Sequence, residues 1–257
     1  MFRRIELATD KVLLLVGAAH GIGRAMALQA AERGIKLAAC DIDAVALEAL
    51  RTQLPGDALL QVADVTRMDS VQAFVDGTLA RFGRIDAVIC NAGGMISLVH
   101  DGKVNANIRP FQDIPPADWK SIIDLNLFGA LNITSATLPS MLERGDGRIV
   151  FVSSVSGLVG GAGLSVYAAA KGGVIAFAKS LAREVSAKGV SVNSVAPGGI
   201  ATRAFPEGSP SIEKRLRNVA IGRLGEPDEI ANVAIYLACD APPYLTGEVI
   251  SVSGGPP

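Results

Sequence analysis

Short unbroken apolar runs alternate along the chain with longer stretches in which apolar residues recur every three or four positions, a pattern that predicts strands alternating with amphipathic helices. The runs predict strands near residues 11–17, 35–41, 58–64, 85–91, 147–153, 189–196 and 247–252. They consist mainly of Val, Ile, Leu and Ala without polar alternation, as expected of strands covered on both faces. Helices are predicted near 22–33, 43–53, 68–82, 116–143, 164–187 and 226–238, with a shorter one near 209–219. Repeated strand, helix, strand units give parallel strands joined by right-handed crossovers, which places helices on both faces of one sheet. The expected fold is therefore α/β, a doubly wound parallel sheet of Rossmann type with about seven strands. No linker, repeat or low-complexity tract divides the chain, so residues 1–257 are expected to form one dinucleotide-binding and catalytic domain.

Composition supports a large core and narrows the partners. Apolar residues make up 49% of the chain and charged ones 19%, far from the balance of a disordered segment. Lys plus Arg total 24 against 25 Asp plus Glu, so no net positive field is present to hold nucleic acid or an anionic membrane, and neither is an expected partner. Residues 149–170 carry no charge and are long enough to span a bilayer, yet Gly157, Gly160, Gly161 and Gly163 fit a strand running into a loop better. Glu6 and Asp10 argue against a leader peptide at the start of the chain. Cys40, Cys90 and Cys239 have neither ligand spacing nor a C-x-x-C pair. They predict buried thiols, no metal site and a reducing, cytoplasmic setting.

The first strand runs straight into Gly17-Ala18-Ala19-His20-Gly21-Ile22-Gly23, and an apolar-periodic helix follows at once. Backbone without side chains can approach a pyrophosphate closely, and the helix start offers it unpaired N–H groups and a partial positive charge. A glycine-rich turn alone is a weak signal. The second strand strengthens it by ending in Cys40-Asp41, which sets a carboxylate where it can accept hydrogen bonds from the adenosine ribose hydroxyls and repel a 2′-phosphate. Ile42 follows, with no adjacent cation to pair with such a phosphate, so NAD is the expected cofactor. His20 is the one basic group in the loop, either a neutral loop residue or, if protonated, a source of positive charge.

Tyr167 and Lys171 stand four residues apart on a predicted helix and so share a face. An isolated phenol has a pKa near 10, and lowering it by about three units requires about 4 kcal/mol. An ammonium about 4 Å away supplies roughly that at an effective dielectric of 20, before desolvation. Ser154, just after the fifth predicted strand, can bond to the substrate oxygen while charge develops on it, and Tyr167 can then take or give the proton.

Together these signals resemble the single-domain branch of the short-chain dehydrogenase/reductase family, over nearly the whole chain. The resemblance carries over Gly17, Gly21 and Gly23 in the phosphate loop, Asp41 at the ribose, Asp64 and Val65 at the adenine ring, and Asn91, Ala92 and Gly93 after the fourth strand. Of these, Asn91 is also suited simply to bracing its strand. Asn126 matches the family's fourth catalytic position, where an asparagine holds a water that relays protons to the lysine; Ser154, Tyr167 and Lys171 match the other three. Pro197-Gly198, Ile200 and Thr202 match the nicotinamide-side turn, and His20, Ile22, Tyr167 and Lys171 complete the expected cofactor contacts. Two positions depart from the pattern: Val16 stands where threonine is usual, and Cys90 where a second asparagine is common. Neither removes a reacting group.

The resemblance implies a homotetramer paired through the helices of 116–143 and 164–187, and a small hydroxy or keto substrate. Val155, Leu158, Val159 and the segment Arg203-Ala204-Phe205 would give that substrate a mostly apolar wall, with Arg203 or His100 able to read a carboxylate. Residues 94–110, with His100, Asp101, Lys103, Asn105, Asn107 and Arg109, are either a lid or a solvated excursion. Residues 199–220 suit a closing flap. Three functions stay open on sequence: an NAD-dependent alcohol dehydrogenase or ketone reductase, an NADPH-dependent 3-oxoacyl reductase of fatty-acid synthesis, and a dinucleotide-binding regulator without turnover. Asp41 favours the first over the second, and the complete set of four candidate catalytic residues disfavours the third.

Overall fold

The computed structural model describes residues 10–54, 57–94, 96–100, 103–106, 110–203, 216 and 219–255, with backbone alone for 96–100 and 103–106. Its first half contains β1 (Val12–Val16), α1 (Gly21–Glu32), β2 (Lys36–Asp41), α2 (Ala44–Arg51), β3 (Leu59–Val62), α3 (Met68–Phe82), β4 (Ala87–Cys90), β5 (Ile96–His100) and β6 (Lys103–Ala106). Then come α4 (Pro116–Ile123), a π-helical turn (Asp124–Phe128), α5 (Gly129–Arg144), β7 (Gly147–Val152), α6 (Ser156–Val159), α7 (Ser165–Val185), β8 (Val190–Pro197), α8 (Pro227–Ile235), a second π-helical turn (Tyr236–Asp240) and β9 (Val249–Val252).

Seven strands form one sheet in the order β3-β2-β1-β4-β7-β8-β9, and each neighbouring pair is parallel. All seven predicted strands are found, within one or two residues at most ends. Successive side chains point to opposite faces of a strand, so β1 feeds two cores. Leu13 and Leu15 pack with Met26 and Ile230 on the α1 and α8 side, while Leu14 and Val16 pack with Phe74, Ile133 and Val174 on the α3, α5 and α7 side. Strand order reverses between β1 and β4, which opens a crevice beyond their carboxyl ends. The register is level there: Val16 lies beside Cys40 on one side and Cys90 on the other, so Gly17, Asp41 and Asn91 leave the sheet together.

Three expectations are corrected. The predicted helix over 116–143 is interrupted by the π-helical turn at 124–128, where the Gly129 N–H reaches back five residues to the Asp124 carbonyl. The predicted helix over 226–238 stops at Ile235 and widens into the second π-helical turn. Within the 94–110 segment the chain forms an antiparallel hairpin, β5 with β6, which the apolar pattern did not reveal. The side chains of His100, Lys103 and Asn105, together with Asp101, Asn107, Arg109, Ala204, Phe205 and most of the predicted 209–219 helix, lie outside the described residues.

Candidate active site

The cofactor side is built where β1 meets α1. A Cβ on Gly23 would overlap the Gly17 carbonyl oxygen and stand 2.7 Å from Asn91 Nδ2, so loop and helix start can touch only through glycine. Asn91 Nδ2 donates to that same carbonyl at 2.7 Å, so its side chain braces the loop. No side chain caps α1, which leaves its first N–H groups for a bound anion. At the end of β2, Asp41 accepts from the Ala19 N–H at 2.9 Å and from the Asp43 N–H at 3.1 Å, one bond to each oxygen. Each oxygen retains a lone pair for a ribose hydroxyl. Beyond β3, Asp64 Oδ1 accepts from the N–H and hydroxyl of Thr66 at 2.9 and 2.7 Å. The neighbouring Val65 is buried against Gly129, with its carbonyl accepting from Asn132 Nδ2 at 2.9 Å.

The reacting side is built on α7. Lys171 is buried, its Nζ donates to the Val152 carbonyl at 2.9 Å, and the same nitrogen lies 5.9 Å from the centre of the Tyr167 ring. Burial pulls the Lys171 ammonium down to about 8, opposed by the nearby Cys90 thiol. That thiol is itself pushed up to about 12 by burial, with Lys171 acting the other way. A Cβ on Gly93 would stand 2.6 Å from Asn126 Oδ1 and 2.9 Å from Lys171 Nζ, so the glycine lets β4's exit loop lie directly on both groups.

Asn126 sits in the π-helical turn, a helical irregularity found often at functional sites. Its Nδ2 donates to the Ile122 and Gly94 carbonyls at 3.0 and 3.1 Å, and its Oδ1 accepts from the Gly94 N–H at 2.9 Å. Both amide hydrogens are thereby used, so the side chain can offer a water only the second lone pair of Oδ1. Ser154 Oγ accepts from the Ser156 N–H at 3.1 Å, which leaves its O–H to donate to a substrate oxygen. Ser153 Oγ donates to the Lys171 carbonyl at 2.9 Å and ties the end of β7 to α7.

One cleft brings together His20, Gly21, Ile22, Asn91, Gly93, Ser154, Tyr167, Lys171, Pro197, Gly198, Ile200, Thr202 and Arg203 among the residues singled out from sequence. Gly17, Gly23, Ala92 and Asn126 do not line it. Gly17, Gly23 and Asn126 support residues that do, through the Asn91 and Gly93 contacts above. Asp41, Asp64 and Val65 stand apart from this cleft, at the ends of β2 and β3. Sequence reasoning missed Ser153, Gly94 and Asp43. The doublet Ser153-Ser154 after a strand, and an aspartate one residue before a helix, were the signals for two of them. A glycine cradle, an uncapped helix start and a buried lysine beside a tyrosine fit a nicotinamide dinucleotide. No helix among the described residues is long and apolar enough to cross a membrane.

Comparisons with known proteins agree. A family profile described as enoyl-(acyl carrier protein) reductase matches residues 17–256. The 3-oxoacyl-[acyl-carrier-protein] reductase FabG of Thermotoga maritima is 38% identical over 251 residues, covering 95% of this chain and 97% of the relative. The 7alpha-hydroxysteroid dehydrogenase of Escherichia coli K12 is 31% identical over 261 residues, covering 99% and 98%. A crystal structure of levodione reductase superposes with a TM-score of 0.88 at 32% identity, over 96% of this chain and 98% of that one. On fold, site and similarity alike, the chain belongs to the short-chain dehydrogenase/reductase family of oxidoreductases.

Proposed function

We propose that the protein is an NAD-dependent oxidoreductase that interconverts a secondary alcohol and a ketone, with Tyr167 as the general acid and base. The observation that carries this reading is the buried Lys171 ammonium beside the Tyr167 ring in the cleft shared with Ser154. When bound, the nicotinamide ring supplies the acceptor or donor of hydride. The residues that would hold the dinucleotide are the 17–23 loop, Asp41, Asp64, Val65, the 91–93 segment and the turn from Pro197 to Thr202.

Ser154 donates a hydrogen bond to the substrate oxygen and stabilises the charge that develops there. Tyr167 removes the hydroxyl proton in the oxidising direction and returns it in the reducing one. Lys171, fixed by the Val152 carbonyl, favours the ionised phenol through its charge. Asn126, fixed on Gly94 and Ile122, holds the loop over Lys171 and is the expected holder of a relay water. Val155 lines the cleft, and Leu158 and Val159 are exposed beside it, which suits a substrate with an apolar body. Membership of the family supports pairing of subunits as a homotetramer through the helices within 116–143 and 164–187, and the setting proposed is the cytoplasm.

Relatives named as 3-oxoacyl-[acyl-carrier-protein] reductases support a second reading, reduction of a 3-oxoacyl group with NADPH. The reacting groups would be the same, and Asp41 separates the two. Rates of nicotinamide absorbance change over a panel of secondary alcohols and ketones, with each cofactor, test the choice. A strong preference for NAD that Asp41→Ala weakens supports the first reading, and equal rates with NADP contradict it.

A further inference from the structure

The corner where the adenosine end of a dinucleotide would rest holds a second carboxylate beside Asp41. Because β1 and β2 are in register at Val16 and Cys40, the glycine loop and the 41–43 turn leave the sheet side by side. Asp43 caps α2, its Oδ1 accepting from the Ala46 N–H at 3.0 Å, while its Oδ2 lies 2.8 Å from His20 Nε2. The Ala46 bond first, and His20 second, hold the Asp43 carboxyl below the usual carboxylate range. An ionised carboxylate only accepts, so Nε2 carries the hydrogen and points it at Asp43. Among the described residues, the other charged groups at this corner are Asp41, bonded to the Ala19 N–H; Arg203, which lines the cleft and acts on Asp43 by its charge; and Arg24, which is bonded to Gln53.

We infer, granting the NAD reading above, that Asp43 is a positioning residue for cofactor choice: it engages the His20 imidazole, so that the glycine loop's basic side chain is withheld from a 2′-phosphate. Asp41 turns the phosphate away by charge, and Asp43 removes the one loop side chain that would welcome it. A 2′-phosphate and the Asp43 carboxylate compete for the same N–H. The pair is partly solvated, with side-chain exposures of 29% for His20 and 40% for Asp43, so releasing the ring changes affinity modestly, by roughly fivefold.

The test is calorimetric titration of NADH and NADPH into the full chain, wild type and variants. Asp43→Ser keeps a capping oxygen for α2 and is too short to hold His20. It should bind NADPH roughly fivefold more tightly than wild type while NADH affinity stays within about twofold. Measured in a His20→Ala background, against His20→Ala alone, the Asp43→Ser step should bring no gain in NADPH affinity. An unchanged NADPH affinity in Asp43→Ser, or a gain that survives without His20, overturns the inference. If Asp43→Ser loses NADH binding through a fold defect, Asp43→Thr, which also offers a capping oxygen and is also too short to hold His20, decides the question by the same criteria. Wild-type protein that binds NADPH as tightly as NADH would sink the NAD reading instead, while the step from wild type to Asp43→Ser would still judge Asp43.

Discussion

Asn126 and Gly94 grip each other through two hydrogen bonds, the asparagine oxygen accepting from the glycine N–H at 2.9 Å and its amide donating to the glycine carbonyl at 3.1 Å. This pair of hydrogen bonds joins the π-helical turn between α4 and α5 to the loop that leads into the β5–β6 hairpin. It also sets Asn126 Oδ1 against Gly93, the glycine that lies on Lys171 Nζ as well. A residue placed to hold the ceiling of the lysine should affect turnover more than dinucleotide binding.

Asn126→Ala is therefore expected to lower kcat by roughly tenfold or more, a modest share of what acid–base machinery supplies. NADH affinity, read by fluorescence titration, should change little, because Asn126 does not line the cleft. A variant with weakened NADH binding and normal kcat would contradict this placement.

Lys171 makes stability depend on pH. Its ammonium titrates at about 8 when folded, because of burial, against an ordinary value of 10.5 when unfolded. Between those values the unfolded chain holds more protons, so stability rises as pH rises through that window and its cost is fully present below pH 8. The contribution is on the order of 3 kcal/mol. In urea unfolding without added dinucleotide, wild type should gain stability relative to Lys171→Met as pH rises from 8 to 10.5, and the variant should lose turnover. Taking the difference cancels the opposite slope that the three buried, raised thiols impose on both proteins above pH 9. The half-buried Lys11, also lowered by desolvation, adds a smaller rise that the variant keeps. An identical slope in Lys171→Met would mean the ammonium is not buried as described.

The three thiols should be silent in the native protein. Cys40, Cys90 and Cys239 are all buried, and burial pushes Cys239 up to about 11, Cys90 to about 12 and Cys40 higher still. Thiolate is the reactive form. An aromatic disulfide reagent at pH 8 should label none of them in the folded state and all of them in guanidinium. Rapid labelling of Cys90 in native protein would show that the floor beneath Lys171 is open.

The parts legible in sequence are those written in short range. The five inner strands showed as apolar runs because both their faces are covered, the edge strands β3 and β9 being only partly buried, and the Tyr167, Lys171 and glycine-loop spacings are local to one helix or one turn. Apart from one local hairpin, what escaped depends on contacts between distant segments. The hairpin of β5 and β6 carries mixed polar residues without strict alternation. The π-helical turn at Asn126 arises where Gly129 lies against Val65, a packing event with no trace in the period of the helix. The His20–Asp43 pair joins residues 23 positions apart that only the register of β1 with β2 makes neighbours.

The central claim is that the Tyr167 hydroxyl carries the proton while Lys171 and the dinucleotide cradle act around it. Replacing Tyr167 with Phe removes one oxygen atom and leaves the ring beside Lys171. Single-turnover nicotinamide absorbance with a substrate the wild type accepts, alongside NADH titration, measures the consequence. NADH binding within about threefold of wild type, with turnover reduced by roughly a thousandfold or more, is the predicted result; turnover close to wild type would assign the proton transfer to another group and contradict the account.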